Sequence, residues 1–80
     1  MMDISAMRFA VHEVVLEVAG HSVGDTESIV SSGLIDSLSV VKLIAGLEKK
    51  LNVVIPAANI QPNDFDNVDL ILETLERVVK

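Results

Sequence analysis

The chain has no cysteine, tryptophan or tyrosine, and its 80 residues include only two phenylalanines and two prolines. Without cysteine there is neither a disulfide nor a thiolate metal site. Two isolated phenylalanines leave little on which the bases of a single-stranded nucleic acid could stack. Basic residues are scarce as well. Six Lys and Arg stand against twelve Asp and Glu, giving a formal charge of −6 at pH 7. Such a chain is repelled by phosphate backbones, so no nucleic-acid partner is expected. No apolar run approaches the roughly 20 residues needed to span a bilayer. The opening stretch MMDISAMRF lacks the basic leader and unbroken apolar core of a secretory signal. Together these absences point to a cytoplasmic chain without a membrane span.

What is present is apolar and periodic. Half the residues are hydrophobic, enough for one small domain over residues 1–80. Ile4, Met7, Val11, Val14, Val15 and Val18 recur at spacings of three and four, which predicts a helix from about Ile4 to Ala19. Asp3 or Ser5 would start it and Gly20 would end it. Phe9 and Leu16 fall on its other side, against the following loop or at an oligomer contact. Residues 20–36 form a long Gly-, Ser- and Asp-rich connection. Its apolar members Val23, Ile29, Val30, Leu34 and Ile35 argue that it lies over the core rather than swinging free.

A second helix is predicted from Ser37 to Leu51, with Asp36 as its N-cap. Val40, Leu43, Ile44, Leu47 and Leu51 share one face. Leu38, Val41 and Ala45 form a second apolar stripe roughly opposite, flanked by Lys42 and Lys49. Only one stripe can face the core, and an exposed apolar stripe marks a docking surface. The other reading of the stripe places it under the 20–36 loop or in a dimer. Both prolines fall within residues 52–66, which leaves room for one short turn near Pro62–Phe65. A last helix runs from Val68 to about Val79, capped by Asn67 or Asp66. Val68, Ile71, Leu72, Leu75, Val78 and Val79 face inward. Asp69, Glu73, Glu76, Arg77 and Lys80 face outward, and Leu70 sits off the stripe. The expected fold is all-α, a small three-to-four-helix bundle with a long loop between helices 1 and 2.

Ser37 stands at the positive end of the second helix, where unpaired N–H groups and the macrodipole favour an anion. The run Ser32-Gly33-Leu34-Ile35-Asp36-Ser37-Leu38, the helix Val40–Leu51, then Val54-Ile55-Pro56 and Pro62-Asn63-Asp64-Phe65-Asp66-Asn67-Val68 resemble the acyl carrier protein family over nearly the whole chain. Asp-Ser-Leu alone is a weak signal; the combination is a strong one. The resemblance implies a 4'-phosphopantetheine arm, derived from coenzyme A, esterified to Ser37. Asp36 and Leu38 would be recognised by the transferase that attaches it. It further implies a non-enzymatic, monomeric carrier of an acyl or aminoacyl thioester in fatty-acid, polyketide, peptide or related specialised biosynthesis. Implied partners are a phosphopantetheinyl transferase, an acyl- or aminoacyl-activating ligase, and an acyltransferase or condensing enzyme. They would meet the protein at Leu38, Ser39, Val41, Lys42 and Ala45.

The sequence departs from the discrete fatty-acid carriers in one respect. Their helix after the serine is rich in carboxylates. Here it holds Lys42, Lys49 and Lys50 against Glu48 alone, and Ser39 replaces a usual acid. The Gly-Leu-Ile lead-in is closer to specialised carriers such as the D-alanyl type. Two other readings of the same residues are an unmodified helical adaptor using the Leu38/Val41/Ala45 stripe, and a hydrolase pairing Ser37 with His12 or His21. Nothing specific supports the hydrolase, and both histidines read as solvated surface residues. Asp64, Asp66 and Asp69 lack calcium-loop spacing, so no metal is expected; they read as first-turn acids on a solvated face.

Overall fold

A computed structural model describes residues 3–56, 58 and 60–78. Within them the chain forms α1 (Ile4–Ala19), α2 (Ser37–Leu51), a 3-10 turn at Pro62–Phe65 and α3 (Val68–Val78). The all-helical bundle with a long first loop is as the sequence predicts. Val79 and Lys80, expected on the inner and outer faces of α3, lie outside the described residues.

α1 contains several valines, which are mediocre helix formers because their branched side chains are stiff. Burial offsets this: Val11, Val14 and Val15 are almost wholly enclosed, at roughly 1.5–3 kcal/mol each. Ala10 joins them, where the sequence reading gave it no role. Ile4, assigned inward, is instead half exposed, because the first turn overhangs the bundle. Asp3 occupies the N-cap position without a side-chain bond to the helix. Gly20 ends the helix at φ 88°, donating its N–H to the Leu16 carbonyl. That left-handed conformation suits glycine, which has no Cβ to clash. Phe9 and Leu16 are exposed, so neither packs under the loop.

α2 lies against α1 at Gly46, where a Cβ would stand 2.8 Å from a Val14 methyl. Val40, Leu43, Leu47 and Leu51 are buried on its inner face, with Ile44 at the edge. Asn52 stops it in a left-handed conformation, φ 56°. The Glu48 carboxylate then accepts the Ile55 N–H at 2.8 Å, turning the chain back. The buried Phe65 side chain plugs the core between α2 and α3. Asn67 caps α3 by accepting the Leu70 N–H at 2.8 Å. Val68, Ile71, Leu72 and Leu75 fill its inner face as predicted. Thr74 is buried beside them and donates to the Leu70 carbonyl at 2.9 Å, which satisfies its hydroxyl inside the helix.

Two sequence readings need correction. His12 is not a free surface group: its Nε2 lies 2.6 Å from Asp25, in a cluster where Arg8 contacts both Asp25 (3.1 Å) and Asp69 (2.8 Å). Nor are Asp64, Asp66 and Asp69 merely solvated acids. Asp64 accepts the Gln61 N–H at 2.9 Å, Asp69 pairs with Arg8, and Asp66 clamps the long loop. These contacts join residues far apart in sequence, which local periodicity does not reveal. No helix among the described residues is long and apolar enough to cross a membrane.

Candidate functional site

The segment leading to Ser37 is held from both sides. Val23, Ile29 and Ile35 are buried, so the loop forms one wall of the core. Ile29 donates its N–H to the Asp66 carbonyl at 2.6 Å, and Ile35 donates back to the Ile29 carbonyl at 2.7 Å. Residues 29–35 therefore close on themselves, with Gly33 turning the chain at φ 84°. The Asp66 carboxylate accepts the N–H groups of Val30 (3.0 Å) and Ser31 (2.8 Å) and the Ser31 hydroxyl (2.9 Å). Those bonds hold Asp66 below the usual carboxylate range, the Ser31 N–H most of all. Of the two cap candidates, Asn67 and Asp66, it is Asn67 that caps α3, while Asp66 fastens the loop.

Asp36 follows in extended conformation, and its carboxylate accepts the Ser39 N–H at 2.8 Å. The pairing depresses its pKa, through the Ser39 N–H first and the Ser39 hydroxyl next, with Lys42 adding a weaker pull. α2 then starts at a fixed point, with Ser37 as its first residue. Ser37 is exposed, and its hydroxyl has no hydrogen-bond partner among the described residues. Nearby hydroxyls are engaged instead: Ser31 with Asp66, and Ser32 with the Ser28 carbonyl at 2.7 Å. An exposed, uncommitted hydroxyl at a helix N-terminus suits a bulky anionic ester, since first-turn N–H groups lack partners within the helix.

Leu38 (77% exposed), Val41 (63%) and Ala45 lie outward on α2, so the second stripe is neither under the loop nor in the core. Lys42 and Lys49 are exposed on the same side. The structure thus brings Leu38, Val41, Lys42 and Ala45 onto one face, which begins one residue after the exposed Ser37. Ser39 stands apart, half-buried and about 100° round the axis from Leu38. The histidines do not join this group: His12 bonds Asp25, and His21 reaches the Ser22 carbonyl at 3.0 Å. The sequence reading missed Asp66 and Glu48 as anchors of the segments flanking α2. Their bonds span 36 and 7 residues, and neither has a local signature.

Residues 5–75 match the family described as Phosphopantetheine attachment site. No curated protein matches the chain significantly.

Proposed function

The chain belongs to the phosphopantetheine attachment-site family, whose domain is the site for covalently bound 4'-phosphopantetheine, and from that premise we propose that Ser37 carries the arm. The observation that carries this reading is the exposed Ser37 hydroxyl, uncommitted at the capped start of α2 within the matched residues. Ser31 and Ser32, the serines just before it, are tied by their hydroxyls to Asp66 and Ser28. The fit is chemical as well as steric. The first-turn N–H groups favour an anion, and the Asp36 carboxylate is already directed at the Ser39 N–H.

When bound, the arm supplies a thiol on which an acyl or aminoacyl group rides as a thioester. The protein's own residues position rather than react. Asp36 fixes the helix start, Ile29 and Ile35 hold the lead-in against the core, and the α2 axis points Ser37 into solvent. No general base is needed at Ser37, because a phosphopantetheinyl transferase provides the proton acceptor and metal for attachment. The chain is then a non-catalytic carrier, served by that transferase, an activating ligase, and an acyltransferase or condensing enzyme. The scarcity of carboxylates on α2 favours a specialised acyl or aminoacyl pathway over a housekeeping fatty-acid role.

The test is intact mass after incubation with coenzyme A and a promiscuous phosphopantetheinyl transferase. The wild type should gain one arm and Ser37→Ala none. An unmodified wild type would return the chain to the adaptor reading; a modified Ser37→Ala would move the site elsewhere.

A further inference from the structure

The charge of α2 runs against that of the molecule. The protein carries −6 overall, yet α2 holds three lysines against one glutamate, a net +2. Even that glutamate is committed, since Glu48 accepts the Ile55 N–H at 2.8 Å. Lys50 is likewise occupied, 3.1 Å from Glu13 on α1. Lys42 and Lys49 remain, exposed and without an ion pair to any described residue. Seven residues apart, they fall on one line of the helix with Leu38 and Ala45, and Val41 lies beside it. The result is a strip of Leu38, Val41, Lys42, Ala45 and Lys49, apolar and cationic, beginning one residue after Ser37.

We propose that this strip is a docking surface for a partner protein whose contact patch is apolar and bordered by carboxylates. The inference rests on the carrier reading above and deepens it by naming the charge of the partners that approach the arm. Charge complementarity decides the occupant. A basic partner patch, which the overall −6 would attract from a distance, would set its cations against Lys42 and Lys49 at contact. Like charges at an interface are strongly disfavoured. An extended anionic surface, such as an acidic bilayer, would feel the whole negative molecule. A compact patch of carboxylates is screened from charges lying more than about 8–10 Å away at physiological salt. It therefore meets mainly the two lysines while the leucine, valine and alanine side chains are desolvated.

The test uses the full chain carrying its arm, checked by intact mass, labelled with nitrogen-15 and titrated with two synthetic amphipathic helices. Both have the same leucine face; one is flanked by glutamates, the other by lysines. Vesicles of phosphatidylglycerol form a third arm. The glutamate-flanked helix should bind more tightly, with amide shifts centred on Leu38, Val41, Lys42, Ala45 and Lys49. The Lys42→Glu, Lys49→Glu double variant should weaken it roughly three- to tenfold and reverse the preference, with unchanged circular dichroism. Equal or better binding of the lysine-flanked helix, shifts centred elsewhere, no shifts with either helix, or preferential vesicle binding would overturn the inference while leaving the carrier reading intact. Failure of Ser37 to accept the arm would remove the carrier reading itself.

Discussion

The loop at residues 20–36 and the outer face of α2 invert what their compositions suggest. The loop is built of Gly, Ser and Asp, yet it encloses Val23, Ile29 and Ile35 and is fastened by Asp66. The α2 face is built of Leu, Val and Ala within regular helix, yet it stands in solvent. Polar segments become rigid when their backbone groups find partners and a few apolar side chains reach the core. Apolar residues stay outside when their helix already spends its other face on the core. In this protein the loop acts as a wall and the helix face stays open to solvent, with Ser37 where they meet.

The largest effect that would break this contrast is at Ile29. Ile29→Ala should cost about 2–5 kcal/mol, measured by urea unfolding, because it empties a fully enclosed site. A loss near zero would make the loop a flexible linker after all. Asp66→Asn should cost less, about 1–3 kcal/mol, by weakening bonds to three donors. It should also speed amide exchange at Val30 and Ser31. The pH dependence has a definite sign. Asp66, Asp25 and Asp36 have folded pKa values below the usual carboxylate range. Their stabilisation is complete above the unfolded carboxylate value of about 3.9 and fades as pH falls through the folded values. Asp66→Asn should flatten that acid limb.

Asp36→Ala removes a cap and should lower the urea midpoint less than Asp66→Asn does, with fraying confined to the first turn of α2. Smallest in stability is Val41→Asp, which should change unfolding free energy by under about 0.5 kcal/mol because the side chain is exposed. Under the proposed carrier function it should nonetheless slow loading of the arm by an activating ligase. Unchanged loading would separate the exposed stripe from function.

Most of this contrast is legible in the sequence, for a physical reason. Helical periodicity records burial directly, so α1, α2 and the inner face of α3 follow from spacing, and Asp36 and Gly20 mark helix ends by local chemistry. The Pro62–Phe65 turn follows from its proline. Asp66, Glu48 and the Arg8–Asp25–His12–Asp69 cluster are invisible at that level. Their partners lie 7 to 61 residues away, and an acid beside a helix start reads as a cap whether or not it is one. Ile4 fits the apolar period of α1 but sits where the bundle has already ended. The exposed position of Ser37 is legible because Asp36 marks the helix start by local chemistry.

The most direct measurement is fragmentation of the tryptic peptide from Phe9 to Lys42 after attachment of the arm to the wild type. That peptide contains six serines: Ser22, Ser28, Ser31, Ser32, Ser37 and Ser39. The account predicts the phosphodiester on Ser37 alone. Modification at any of the other five would contradict it.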